Sequence, residues 1–264
     1  MSIIAISRGS YRQGKEVAEK VAQKLGYTCI DRDLLIDEMA EFQLPEIKLV
    51  RNILDATSIL NRFSHGKERY VASIRAAVLK HCQKDKIVYH GLAGHFFVKD
   101  VSHAFKVRIV TDLEMRIKEE MEREKISAQE ARYILKKDDD ERRKWGLFLY
   151  GIDIWDSNIY DMVINIGTLT VDEAVDIIIN TIRFSCFQPK PESQQIINDL
   201  ALTAQVQVAL FEYPNARVSA RDGKVYVRLK APLDQQETIT ANLENIIKKI
   251  DGATDVDIRL EPYF

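Results

Sequence analysis

The first 25 residues leave this chain few folds to choose from. Ile3-Ile4-Ala5-Ile6-Ser7 is a short apolar run of the kind that fills a strand buried on both faces, and from about Gly14 to Leu25 the spacing is helical. Between them stands Gly9-Ser10-Tyr11-Arg12-Gln13-Gly14-Lys15-Glu16, which fits G-x-x-x-x-G-K. In that position the glycines let backbone amides turn toward a phosphate, the helix start adds positive potential, and Lys15 offers a mobile cation for β- and γ-oxygens. The motif usually closes with a hydroxyl that holds Mg²⁺; here Glu16 takes its place. A carboxylate suits a helix start, but it repels a nucleotide phosphate unless it is turned away or bridged by metal. A plain glycine-rich turn is the alternative.

The pattern repeats. Thr28 to Ile30, Lys86 to His90, Phe105 to Val110 and Met162 to Ile166 read as further strands, and Lys67 to Cys82 as a helix. Thr111-x-x-Glu114, Ser127-x-x-Glu130 and Thr170-x-x-Glu173 each fit a capping box at a helix start. Strand–helix alternation with continuously apolar strands predicts an α/β domain, a parallel sheet with helices on both faces. Pro189 and Pro191 mark the strongest break. Beyond it the order changes to a helix from Gln194 to Phe211, strands over 216–221 and 224–230 joined by Asp222-Gly223, a helix over 234–250 and a strand over 254–260. Asp-Gly between two such runs predicts a two-residue hairpin. The expected domains are residues 1–188, and residues 194–264 as a small α+β unit of order αββαβ.

A length of 264 residues accommodates two such domains. The 38 basic and 40 acidic side chains nearly cancel, which gives no electrostatic reason to expect nucleic acid as a partner. From Pro191 onward there are 8 basic and 11 acidic residues, poorly suited to anionic lipid headgroups. Cys29, Cys82 and Cys186 show no metal-ligand spacing and no disulfide framework, and no metal site is expected from the protein's own ligands. The start of the chain lacks the pattern of a secretory leader, and no apolar stretch approaches the ~20 residues that span a bilayer, so a cytoplasmic protein is expected.

Ile6-Ser7-Arg8-Gly9-Ser10, Gly14-Lys15-Glu16-Val17-Ala18, and Gly26-Tyr27 followed by Ile30-Asp31-Arg32-Asp33-Leu34-Leu35 resemble the cytidylate kinase-like family of P-loop nucleoside monophosphate kinases. So do Phe105 to Val110, Ser127 to Ala131, Asp139-Asp140-Glu141-Arg142 and Tyr160 to Asn165. The resemblance covers about residues 1–185. It implies a P-loop NTPase fold with ATP and Mg²⁺ as cofactors, the metal held partly by water in place of the usual hydroxyl. It also implies a monophosphate-binding insertion between Asp31 and Tyr70, and an arginine-bearing lid over 115–145. Arg142 with Asp139 fits the family's D-x-x-R lid element, and Asp31 and Arg32 fall near the acceptor site. Lys15 and Arg142 are then the catalytic candidates and Gly9 to Glu16 the ATP-binding loop. Arg116, Arg123, Lys136, Lys137 and Arg143 are further lid cations, although the same stretch reads equally as a solvated helix face. Asp31 also reads as a helix N-cap.

One departure concerns the acceptor. Members of the family often carry Gly-Arg after the third core strand, where this chain has Gly91-Leu92. Leucine cannot pair with a phosphate, and His90 and His95 are the side chains nearby that could donate instead. Trp145, Tyr150, Trp155 and Tyr160 read as packing rather than as base platforms.

Residues 216–260 resemble a BON-type domain through Arg221 to Leu229 and Asp251 to Val256. That implies lipid or small-ligand binding; a regulatory, ligand-sensing or homodimerising role is expected rather than catalysis, and simple packing on the main domain is the alternative. Two functions follow: transfer of the γ-phosphoryl of ATP to a nucleoside monophosphate or similar small acceptor, or a nucleotide-binding sensor that has lost transfer chemistry.

Overall fold

The computed structural model describes residues 2–9, 11–31, 34–35, 66–91 and 93–262. Ser10, Arg32, Leu92 and most of the expected insertion lie outside the described residues.

Five parallel strands form the main sheet: β1 (Ile3–Arg8), β2 (Thr28–Asp31), β3 (Ile87–His90), β4 (Ala104–Thr111) and β5 (Met162–Ile166), in the order β2-β3-β1-β4-β5. β1 is central, with Ile3 in register with Ile87 on one side and with Ala104 on the other. Its alternate residues feed two cores, because successive side chains of a strand point to opposite faces. Ile4 and Ile6 pack with Val17, Ala18 and Val21 of α1 (Tyr11–Leu25) and with Val175 and Ile178 of α6 (Val171–Thr181). Ile3 and Ala5 pack with Tyr70, Ile74 and Ala77 of α2 (Gly66–Cys82). Between α2 and α6 come a short helix α3 (Gly94–Phe97) and the antiparallel pair α4 (Leu113–Glu124) and α5 (Ala128–Tyr150).

Two of the three expected capping boxes form, at Ser127 and Thr170, each with reciprocal side-chain and backbone bonds to Glu130 and Glu173. The third does not. Asp112 caps α4 by accepting from the Glu114 amide, and the Thr111 hydroxyl donates to Gln13 Oε1. A carboxylate one residue later takes the capping role and leaves Thr111 for a tertiary contact.

The C-terminal unit follows the αββαβ order: α7 (Pro191–Ala209), β6 (Arg217–Arg221), β7 (Lys224–Lys230), α8 (Gln236–Ile247) and β8 (Asp255–Glu261). The sheet runs β6-β7-β8, antiparallel then parallel. Asp222 (φ 49°) and Gly223 (φ 80°) are both left-handed, as the two-residue hairpin requires. α7 begins at Pro191 rather than Gln194, because proline at the first helical position gives up an amide that has no helical partner anyway. One helix thereby joins two cores. Ile197, Ala201 and Ala204 pack against the α2 side of the main sheet, while Leu202, Val206 and Leu210 pack against β7 and α8. No helix among the described residues is long and apolar enough to cross a membrane.

Candidate phosphate-handling cleft

Parallel strands bring the C-terminal ends of β1, β3 and β4 to one edge. The chain order reverses around β1, and ligands of open α/β sheets gather at such a switch point. At this edge the Gly9 amide donates to the Ile109 carbonyl at 2.7 Å. A Cβ on Gly9 would stand 3.2 Å from that oxygen and 3.3 Å from Val110 Cγ1, so the turn hugs β4.

The loop is shorter than the sequence implies. α1 starts at Tyr11, which places Arg12, Gln13, Gly14, Lys15 and Glu16 in its first two turns instead of an open cradle. Gln13 explains this. Its amide is buried and donates to Met115 Sδ at 3.0 Å and Glu119 Oε1 at 3.2 Å, while its oxygen accepts from Thr111. Gly14 is a glycine for a packing reason: a Cβ would lie 2.6 Å from Arg8 Cγ, so the Arg8 side chain lies across the helix there.

Glu16 is turned along α1 to Lys20 at 3.0 Å, and Lys20 also bonds Asp172 at 2.9 Å. Its carboxylate is thus engaged toward α6. Lys15 is partly exposed, with Glu19 at 3.6 Å as its neighbour one turn on. Both border a cleft of about 550 Å³ between α1 and the α4–α5 pair. Arg12, Arg116, Arg123 and Arg142 bring cations to it, and Glu19, Glu119, Glu120, Glu122 and Asp138 bring carboxylates. Burial raises the Glu119 carboxyl above the usual range.

The lid candidates separate by contact. Arg142 is mostly buried, 3.5 Å from the Arg8 carbonyl and 3.5 Å from Asp138. Asp139 faces Arg116 instead, with two hydrogen bonds of 2.8 and 2.9 Å. The two residues of the D-x-x-R element thus face different neighbours, Asp139 toward Arg116 and Arg142 toward Asp138 and the Arg8 carbonyl. Arg123 pairs with Glu120 and Glu124, and Arg143 bridges Asp153 while lying over Trp155. Lys136 and Lys137 are exposed. Asp31 accepts from the Leu34 amide at 2.8 Å, the capping geometry.

A second, narrower pocket of about 50 Å³ opens at the ends of β1 and β3, lined by Ser7, Arg8, Gly91, Ala93, His95, Phe96, Arg142, Trp145, Gly146, Tyr150 and Ile154. Arg142 is the residue common to both spaces. Burial pushes His95 down to about 3 and His90 down to about 4, so both are neutral at neutral pH and offer an N–H donor, not a cation. Both ring nitrogens of His95 lack a hydrogen-bond partner among the described residues. Tyr160 and Trp145 are buried, whereas Trp155 is half exposed. Burial holds the Cys29 and Cys82 thiols up at about 11 and about 12, so neither is a thiolate nucleophile.

Arg108 was not among the residues that the sequence pattern singled out. It sits on β4 at 9% exposure, 3.2 Å from the Tyr160 hydroxyl and 3.5 Å from Ser7 Oγ. Its guanidinium carbon is 5.5 Å from the Tyr160 ring centre. It borders a recess of about 350 Å³ beside Gly9 and Thr111. A guanidinium inside the apolar run Val107-Arg108-Ile109-Val110 was the available signal, since buried charges are rare without a partner.

The family model of the cytidylate kinase-like family matches residues 3–168. A cytidylate kinase of Saccharolobus islandicus is 26% identical over 199 residues, which is 75% of this chain and all of that protein. A cytidylate kinase of Archaeoglobus fulgidus is 26% identical over 172 residues, 63% of this chain and 87% of that one. Among solved structures, an uncharacterized protein from Eubacterium ventriosum is 26% identical with a TM-score of 0.54, covering 69% of this chain and 98% of its own. The strand–loop–helix at β1, the parallel sheet and the arginine-bearing α4–α5 pair occur in the region matched. The chain belongs to the cytidylate kinase-like family.

Proposed function

We propose that this protein is an ATP-dependent phosphotransferase that moves the γ-phosphoryl group to a nucleoside monophosphate or another small phosphate acceptor. The observation that carries the reading is the place of Arg142, which borders both the cleft beside Lys15 and the pocket at the ends of β1 and β3. A group passing from a donor in the first space to an acceptor in the second travels past this guanidinium. Phosphoryl transfer is catalysed by positioning and by neutralising charge on the moving group, which is what Lys15 and Arg142 would supply.

The donor set fits Mg²⁺–ATP in part. Arg12, Lys15 and the first amides of α1 suit phosphates, and Asp138 is a carboxylate on the cleft wall that would hold the metal, whereas Glu16 is engaged by Lys20. Mg²⁺ typically takes one or two carboxylates, substrate phosphates and waters, and when bound it shields the β- and γ-oxygens. The second pocket is smaller than a nucleotide in this arrangement, so acceptor binding there would need its walls to open. For the C-terminal unit, the αββαβ order supports the BON-like resemblance. The sharing of α7 between two cores supports a regulatory role.

A coupled ADP-release assay across nucleoside monophosphates tests the reading. Turnover with at least one acceptor is expected, reduced by Lys15→Ala and by Arg142→Ala. Thermal stabilisation by ATP with no turnover on any acceptor would replace it with the sensor reading.

A further inference from the structure

The nearly cancelled charge of the chain conceals a segregation that appears only once the strands are paired. Six of the 8 basic residues from position 191 onward, Arg217, Arg221, Lys224, Arg228, Lys230 and Arg259, lie at alternate positions of β6, β7 and β8. These are the positions turned away from α7 and α8, because Val225, Val227 and Leu229 occupy the buried face. Only three of the 11 acidic residues share the outer face, Asp255, Asp257 and Glu261, and all are on β8.

The register sharpens the point. Arg217 pairs with Arg228 and Arg228 with Arg259, so three arginines stand in one row across three strands, about 4.8 Å from strand to strand. Like charges directly opposite one another destabilise a sheet, and no fold-related need for this row is apparent in the packing. Arg259 has Asp257 at 3.4 Å, whereas no carboxylate among the described residues pairs with Arg217, Arg228 or Lys230. In the adjacent row Ser219, Tyr226 and Asp257 are in register, with the Tyr226 ring exposed at the centre of the face.

We propose that this face binds a single strand of nucleic acid. The arginine row meets successive phosphates, and the Tyr226 ring offers a platform on which a base stacks. Cations flanking an exposed aromatic on an open sheet suit a flexible polyanion with unstacked bases. A duplex offers no free base face. A lipid surface is a poorer match, because Tyr226 is the one large apolar group among the outward residues named here.

The test is fluorescence anisotropy of labelled oligo(U) and oligo(dT) with the full chain, in a salt series without ATP. Binding is expected, with log K against log salt falling at a slope of about −2 for three phosphate contacts. Arg217→Ala with Arg228→Ala should weaken binding at least about tenfold and flatten the slope by about 1.4. Tyr226→Ala should weaken it about fivefold or more with the slope unchanged, and Tyr226→Phe should restore it. All these side chains are outward, and retention of the thermal transition shows that the variants fold. Lys15→Ala and excess ATP should leave binding unaltered. The proposal is overturned by no binding at low salt, or by binding that the double variant leaves intact. It is equally overturned by binding that ATP abolishes, which assigns the strand to the cleft. Duplex binding of equal strength and indifferent to Tyr226→Ala, or capture of phosphatidylserine vesicles without oligonucleotide binding, also overturns it.

Discussion

Arg116 on α4 holds Asp139 on α5 with both terminal nitrogens, at 2.8 and 2.9 Å, and the two side chains are only 12% and 23% exposed. A bidentate, partly buried pair of this kind fixes the angle between two helices as well as joining them. Asp139 therefore ties α5 to α4. Arg116→Ala should cost about 1–3 kcal/mol of stability, between the values of exposed and buried pairs. A double-mutant cycle with Asp139→Asn in chemical denaturation should return most of that as coupling. A KM change from Asp139→Asn without loss of stability would instead return Asp139 to the substrate.

His90 and His95 set a pH dependence. Burial lowers both, and nearby cations add to it: Arg8 and Lys15 for His90, Arg108 and Lys106 for His95, with Asp31 opposing at His90. The unfolded chain takes up these protons near pH 6.5, while the folded chain refuses them until about 4 and about 3. Stability is thus fully present above pH 6.5 and falls as pH drops toward 4, by roughly 1.4 kcal/mol per pH unit for each histidine. His95→Phe should remove one such contribution. Denaturation midpoints between about pH 4.5 and 6.5 check it, and an unchanged slope in the variant would refute it.

Much of the architecture was readable because it rests on local chemistry. Alternating Val225, Val227 and Leu229 fixed the buried face of β7, and Asp222-Gly223 fixed its turn, since both residues need positive φ. Ser127 and Thr170 announced their helices because each caps its own first turn with a glutamate three residues on. What escaped the sequence depends on distant partners. The early start of α1 follows from Gln13 reaching Met115 and Glu119, about a hundred residues away. Asp139 and Arg142 lie three residues apart but take different partners, because α4 approaches one and the β1 end the other. The row of Arg217, Arg228 and Arg259 exists only through strand register.

Gly14 tests what the glycine is for. A Cβ would approach Arg8 Cγ, Cδ and Cβ at 2.6, 3.0 and 3.1 Å, and these belong to a side chain that can move. Gly14→Ala should therefore fold, with a stability change within about 1–2 kcal/mol, because the helix gains propensity as Arg8 is displaced. Arg8 borders the second pocket and its carbonyl faces Arg142, so the loss is expected in ATP-dependent turnover, by tenfold or so. Equal turnover in Gly14→Ala and the parent would show that the placement of Arg8 does not matter to the reaction.

Ile197 tests whether the two sheets unfold as one. It is fully buried on α7 against the α2 side of the main sheet, five residues before Leu202 enters the other core. Ile197→Ala should cost about 2–5 kcal/mol through lost burial and the cavity left behind. Because α7 is a wall of both cores, that loss should move a single cooperative transition followed by amide exchange in β1 and in β7. Removal of residues from 191 onward would uncover the apolar side of α2 and should leave a main sheet that aggregates or melts earlier. Two separated transitions, with only the earlier one shifted by Ile197→Ala, would show instead that α7 belongs to one core in solution and merely rests on the other.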